Sequence, residues 1–155
     1  MRAATAAAMA LALGSCSGPS LDGSLSEAFD LSFSSMLIRR SEKALQLSYL
    51  KSEGREVVVA VTVATEGLGL KPGARVELGG EYAPGHPRTV VSRAVDGEPV
   101  RTLPPVLKGT LTVDQLPTSG STVTGDFSVS FGEGGDVGSG RTLFGNFSAK
   151  VELAP

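Results

Sequence analysis

The sequence has very few of the side chains that most often perform chemistry. Its 155 residues include one cysteine, one histidine and no tryptophan, and aromatic residues make up 5%. A single cysteine excludes an internal disulfide, so the hydrophobic core alone must hold the fold. One histidine without partner cysteines or histidines excludes the common zinc sites. The scarcity of aromatic rings argues against a site that stacks sugars, and we predict no cofactor.

Charge is also sparse and nearly balanced. The chain has 14 lysines and arginines against 16 aspartates and glutamates. Nucleic-acid binding needs a clustered basic face, and the basic residues are scattered apart from the pair Arg39 and Arg40, so we expect no nucleic-acid partner. Together with Lys43, this pair predicts a small basic turn. It is either a solvated hairpin tip or a contact for anionic lipid headgroups.

The N-terminus carries a short apolar run. After Met1 and Arg2, residues 3–13 are apolar except for Thr5. A positive start, a short apolar run and small residues at a cleavage site are typical of a secretory signal peptide. A membrane-spanning helix takes about 20 apolar residues. We therefore predict a cleaved signal peptide over residues 1–15.

The end of this run resembles the lipobox of bacterial lipoproteins. Leu13, Gly14, Ser15 and Cys16 occupy its four positions in order. The resemblance implies cleavage between Ser15 and Cys16, a diacylglycerol on the Cys16 thiol, and a further acyl chain such as palmitate on the new amino group. Ser17, in the next position, implies the outer membrane, facing the periplasm. Two or more acyl chains hold a protein firmly, so we expect membrane attachment through Cys16.

The remainder divides into a tether and one domain. Residues 16–26 contain the lipidated cysteine and are rich in serine, glycine and proline, which predicts a flexible tether. Residues 27–155 have the length of a single domain. The chain has 20 glycines and nine prolines. With few charges, such a composition is typical of an all-β domain with many turns.

Several segments alternate apolar and polar residues, which indicates half-buried strands. Residues 57–63 form a β-branched run and predict a central strand covered on both faces. Asp96 and Gly97 predict a tight hairpin turn, and Pro99 predicts that the strand after it lies at an edge. The predicted strands cover residues 29–38, 45–49, 56–65, 75–78, 89–95, 98–103, 107–116, 122–131 and 142–151.

One segment leaves two structures open. Residues 41–50 place Ala44 and Leu47 at helical spacing, whereas Leu45, Leu47 and Tyr49 alternate as in a strand. We favour the strand because its alternation is cleaner. The whole pattern predicts an all-β fold: an antiparallel β-sandwich, or alternatively a β-barrel, of roughly eight or nine strands.

A short internal sequence repeat lies near the C-terminal end of the sequence. Residues 122–131 and 142–151 both contain a threonine and then Gly-(Asp/Asn)-Phe-Ser. We predict that they form the closing hairpin across a glycine-rich loop. Gly125 and Gly145 are predicted to mark strong twist or a bulge beside the large phenylalanines.

Two loops carry candidate functional residues. Residues 82–88 place Tyr82, His86 and Arg88 on a proline-stiffened connection, which predicts a binding loop; a well-packed turn is the plainer interpretation. The glycine-rich loop of residues 132–140 holds Glu133 and Asp136. These two are weak calcium candidates, since calcium sites take six to eight oxygens.

These observations predict a lipid-anchored cell-envelope lipoprotein that acts as a non-enzymatic binding or scaffold module. We expect its partners to be the membrane, through the lipid on Cys16, and another envelope protein. One alternative is an envelope hydrolase that uses His86, although no Gly-x-Ser-x-Gly elbow occurs. The other alternative is a small-ligand or carbohydrate-binding module.

Overall fold

The computed structural model describes residues 18–134 and 137–155. The predicted signal peptide, the lipobox and Cys16 lie outside the described residues, as does Asp136. Within the described ranges, no helix has the length and apolar character that crossing a bilayer requires.

Regular structure in the described chain is almost entirely β, with 53% of residues in strands and 3% in helix. The all-β prediction is confirmed. The strands are β1 (Ser20–Asp22), β2 (Ser35–Arg40), β3 (Ala44–Lys51), β4 (Glu56–Ala64), β5 (Arg75–Glu77), β6 (Glu81–Ala83), β7 (His86–Pro87), β8 (Thr89–Ala94), β9 (Arg101–Thr102), β10 (Val106–Val113), β11 (Thr122–Phe131) and β12 (Thr142–Leu153). A single 3₁₀ turn, η1 (Ser24–Glu27), follows β1.

One curled sheet contains most of these strands. Its order is β5-β10-β11-β12-β2-β3-β4-β8-β9, with β1 beside β12 and with β6 and β7 forming a separate hairpin. The long β12 belongs to both halves, because residues 142–150 pair with β11 and residues 151–153 pair with β2. The β12–β2 pair is parallel, whereas the other pairs described are antiparallel. The sheet therefore curls about β12 into a half-barrel, within the predicted class of sandwich or barrel.

The core lies between the two halves of the curled sheet. Tyr49 of β3 is fully buried there, 4.9 Å from the ring centroid of Phe33 and 6.2 Å from that of Phe127 on β11. Its hydroxyl donates a hydrogen bond to the Asn146 carbonyl at 2.8 Å. Burial raises the pKa of the Tyr49 hydroxyl well above its usual value. This bond ties β3 to β12 through the middle of the core.

The predicted tether is wrong from Ser20 onward. β1 pairs with residues 144–146 of β12, and Leu25 of η1 is fully buried. The polar, proline-containing composition is typical of a linker, but these residues gain backbone partners from a strand far away in the sequence. Strand pairing therefore begins at Ser20, inside the segment predicted to be a flexible tether.

The predicted strand over residues 29–38 is wrong in its first half. Residues 29–34 form no ladder, and β2 begins at Ser35. Phe29 and Leu31 are nevertheless buried. The alternation therefore indicates which side chains face the core but not whether the backbone has a partner strand.

The next two strands agree with prediction. Residues 44–51 form β3, so the helical alternative is wrong there. β4 lies between β3 and β8, and most of its side chains are buried. Val58 is an extra residue in this strand, because Tyr49 pairs with Val59 and Leu50 with Val57. A bulge of this kind leaves a backbone group that needs another partner.

The closing hairpin of β11 and β12 is also as predicted, and the structure explains its repeat. In the antiparallel register, Gly125 lies opposite Phe147 and Gly145 lies opposite Phe127. A side chain on Gly125 would meet the Phe147 ring, and one on Gly145 would lie 3.1 Å from Phe127. Each glycine thus makes room for the other strand's phenylalanine. The register is unbroken, so the predicted bulge is absent from this hairpin.

Candidate functional site

The predicted binding loop is a small hairpin made of β6 and β7. The Arg88 guanidinium lies over the Tyr82 ring, 5.3 Å from its centroid. Burial, followed by a hydrogen bond with Glu66, raises the pKa of the Tyr82 hydroxyl. The structure therefore brings Tyr82 and Arg88 together, and their contact stabilises one side of the hairpin.

His86 does not join this pair. It is exposed at the start of β7, and within residues 18–134 and 137–155 its ring has no hydrogen-bond or ion-pair partner. A histidine that activates a nucleophile must lie within hydrogen-bond reach of it. In the described structure, His86 therefore has no such partner.

The other side of the hairpin borders an apolar groove of about 390 Å³. Its opposite wall is the connector that leaves β9 and enters β10, which contains Pro104 and Pro105. We call this cavity the proline groove. Its lining residues are Gly80, Glu81, Gly85, Pro87, Thr89, Val90, Thr102, Leu103, Pro104, Pro105, Val106 and Leu107.

Backbone contacts fix the walls of the proline groove. The Leu103 N–H donates to the Val91 carbonyl at 2.8 Å, which holds the start of the connector against β8. The Gly132 N–H donates to the Pro105 carbonyl at 2.7 Å, which holds its end against the loop after β11. Proline also restricts the backbone itself. The groove is therefore preformed, as ligand pockets usually are.

The groove offers mainly apolar contacts. Leu107 lines the groove and is 64% exposed, so it lies at the rim. The Thr89 hydroxyl already donates to the Leu78 carbonyl at 3.0 Å, and Glu81 is exposed. With few free polar groups and no acid–base pair, the lining suits binding of an apolar body rather than proton transfer.

A second depression, of about 250 Å³, lies on the outer face of β2, β3, β4 and β8. Ser48, Ala60 and Ser92 face one another across its floor because they are register partners. Arg39 and Gln46 form part of its rim. Its shallow, mixed lining offers a ligand fewer apolar contacts than the proline groove does.

The two remaining predicted sites are the calcium candidates and the basic turn. Glu133 is exposed, and Asp136 lies outside the described residues. In the part of the chain that is described, no three carboxylate, histidine or cysteine groups cluster to hold a metal ion. Of the predicted basic turn, Arg39 and Arg40 lie at the end of β2, and Lys43 lies in the turn before β3. Arg39 and Lys43 are exposed, while Arg40 Nη1 donates to the Pro117 carbonyl at 2.5 Å.

No protein-family model matches this chain, and neither the curated proteins nor the solved structures contain a match.

The sequence does not reveal the proline groove. Its walls come from residues 80–90 and 102–107, and only the fold brings them together. The signal that the sequence does carry is the pair Pro104 and Pro105 followed by the apolar Val106 and Leu107. The two prolines indicate a connector between strands, and the structure has one there. Nothing in the local pattern indicates that Leu107 borders an apolar groove.

Proposed function

We propose that this chain is a lipid-anchored binding module of the cell envelope and that the proline groove is its ligand site. The anchor is the lipid implied for Cys16. The observation that carries the binding role is the preformed apolar groove with the exposed Leu107 at its rim. Its ligand is a small molecule with an apolar body.

The size and lining of the groove select this ligand. Its volume of about 390 Å³ falls inside the range of small-molecule pockets, about 300–1,000 Å³. Val90, Leu103 and Leu107 offer apolar surface, and burying such surface contributes about 25 cal/mol per Å². Sugars need aromatic rings and many polar groups, and neither lines the groove. An apolar molecule therefore fits better than a carbohydrate.

Binding is also better supported than hydrolysis. The hydrolase alternative depends on His86, which is exposed at the start of β7 and does not line the proline groove. A binding module requires only a stable scaffold with a shaped cavity, and the half-barrel provides both.

The binding role is tested with N-phenyl-1-naphthylamine, an uncharged apolar dye that fluoresces in apolar sites. We expect the mature chain to give a saturable signal. Leu107→Glu should weaken dye binding about tenfold or more, because a charge at the rim must lose its water when the dye enters. Val100→Glu is the control, since Val100 is 81% exposed and lies outside the groove. Equal affinities in the two variants would contradict the assignment of the site.

The anchor is tested separately by intact-mass analysis and membrane fractionation. We expect the mature protein to begin at Cys16 with attached acyl chains, and Cys16→Ala to move the protein into the soluble fraction. An unmodified thiol on a membrane-free protein, or a chain that starts elsewhere, would contradict lipidation. The result on the proline groove would not be affected.

A further inference from the structure

The link between the proposed lipid and the fold is very short. Cys16 precedes Ser20 by four residues, and Ser20 is already paired with Asn146 of β12. An extended chain spans at most about 3.6 Å per residue, so Cys16 lies within about 14 Å of Ser20. A domain held on so short a link cannot rotate freely above a bilayer.

The direction of the link follows from the register. Ser20 pairs with Asn146 and Asp22 with Phe144, so β1 is antiparallel to β12. The chain therefore enters β1 from the side of the C-terminal end of β12. From Asn146, β12 runs seven more residues to Leu153, a distance of about 23 Å at 3.3 Å per residue. The link is therefore too short to hold Cys16 beyond the C-terminal end of β12.

This end of the molecule is formed by three segments, which we call the anchor end: residues 39–43, 114–121 and 150–154. Hydrogen bonds join them. Arg40 Nη1 donates to the Pro117 carbonyl at 2.5 Å, and the Ala154 N–H donates to the Arg40 carbonyl at 2.8 Å. The Gly120 N–H donates to the Val151 carbonyl at 2.9 Å.

The anchor end exposes apolar side chains next to basic ones. Leu116 is 50% exposed and Leu153 is 65% exposed. Leu153 pairs with Arg40, which contacts the residue after Leu116, so the two leucines lie on the same end. The anchor end carries one more basic residue than acidic residues. The basic residues are Arg39, Arg40, Lys43 and Lys150, and the acidic residues are Glu42, Asp114 and Glu152.

We propose that the anchor end docks on an anionic lipid surface, with Leu116 and Leu153 in the interface and Arg39 and Lys43 beside the headgroups. The proposal rests on the lipidation of Cys16. Because the link is too short to hold Cys16 beyond this end, the end has to meet the bilayer surface when Cys16 does; the leucines then bury apolar area in it, and basic residues add attraction to anionic lipid. The small charge excess makes the leucines the main contact.

The test supplies the anchor chemically. Because Cys16 is the chain's one cysteine, the mature protein couples through its thiol to maleimide lipid in vesicles of about one-third phosphatidylglycerol and two-thirds phosphatidylcholine. The chain has no tryptophan, so a single introduced tryptophan reports its own surroundings. Quenching by brominated lipid then measures contact with the bilayer, whether or not cells lipidate the protein.

Leu116→Trp and Val137→Trp form a matched pair, since both positions are 50% exposed. Val137 lies in the loop between β11 and β12, at the opposite end of the sheet. We expect brominated lipid to quench the emission of the Leu116→Trp variant several-fold more than that of the Val137→Trp variant. Leu153→Trp is the second reporter if the first variant fails to fold, as judged by circular dichroism. Equal quenching at both ends, or stronger quenching at position 137, would overturn the proposal.

A charge variant tests the headgroup contact. Arg39→Glu with Lys43→Glu should reduce quenching at the anchor end on anionic vesicles, and added salt should reduce it in the unaltered protein. Arg55→Glu with Lys108→Glu is the control, because both residues are exposed away from the anchor end. A loss in the control as large as in the test variant would show that general charge, and not this surface, sets the contact.

Discussion

Arg93 has the largest side chain among the fully buried residues of the described chain, and it carries a charge. Its guanidinium forms two bonds to the Glu98 carboxylate, at 2.7 and 2.8 Å. Nη1 donates to the carbonyls of Val58 and Asp30, at 3.0 and 3.1 Å. Val58 is the bulged residue of β4, so Arg93 satisfies the carbonyl beside the irregularity. It also lies 4.9 Å from the centroid of the Phe29 ring.

Arg93→Met should therefore destabilise the protein by about 3 kcal/mol, because it leaves the Val58 carbonyl buried without a partner and removes the cation that pairs with Glu98. Urea unfolding of the mature chain measures this change. Arg55→Met, at an exposed turn position, should change stability by less than about 0.5 kcal/mol. A loss below about 1 kcal/mol for Arg93→Met would mean that the bulge does not depend on the guanidinium.

The same pair makes stability depend on pH. The hydrogen bond from Arg93 lowers the pKa of the Glu98 carboxyl below its usual 4.5. Because the folded-state pKa is the lower one, the pair's contribution is complete above about pH 4.5 and is lost as the pH falls through the folded value. Glu98→Gln should therefore show a shallower loss of stability in acid. Identical pH profiles for both proteins would contradict this coupling.

Gly125 is a second residue whose role is specific. A side chain there would meet the Thr112 carbonyl as well as the Phe147 ring. Gly125→Ala should therefore destabilise the fold by about 1–3 kcal/mol through overpacking. Gly18→Ala is the control, since nothing lies within 4 Å of that position. Thermal unfolding of the two variants decides the point, and equal melting temperatures would show that the hairpin can shift to make room.

At the scale of elements, β1 and η1 show how a tether-like sequence becomes part of a fold. Arg141 Nη1 donates to the Ser24 carbonyl at 2.7 Å and to the Glu27 carboxylate at 2.8 Å. The Thr142 N–H donates to the Ser24 hydroxyl at 2.9 Å. These bonds hold η1 on the start of β12, and Leu25 fills the core beneath.

Leu25→Ala should accordingly cost about 2–5 kcal/mol, as expected for a fully buried leucine. Pro19→Ser, at the exposed end of the link, should have almost no effect. Chemical unfolding of both variants provides the measurement. Unchanged stability in Leu25→Ala would contradict this role of η1 and would favour the prediction of a flexible tether over residues 16–26.

The alternation of apolar residues predicted β3, β11 and β12 correctly because each of these strands faces the core on one side and has neighbours on both edges. The β-branched run of residues 57–63 predicted β4, which lies between β3 and β8. The same alternation over residues 29–33 predicted a strand that does not form, since burial sets the pattern and backbone pairing does not. Pairing between β1 and β12 joins residues more than 120 positions apart, and a local window contains no trace of it. The proline groove was missed for the same reason.

At the scale of the whole molecule, the two halves of the sheet share β12 and one core. Neither half buries its apolar face without the other, so the fold should unfold as a single unit. We expect far-UV circular dichroism and the fluorescence of the buried Tyr49, isolated by Tyr82→Phe, to give coincident urea transitions. Separate transitions for the two probes would show that the halves are independent.

The adjacency of β1 and β2 to β12 also sets an order of events during synthesis and during the proposed export. A chain threaded through a membrane from its N-terminus delivers its first two strands long before the strand that they pair with. Contacts between such distant segments form late and slowly. The curled sheet cannot close until the twelve residues of β12 have emerged, so the proposed export would carry a chain that is still unfolded.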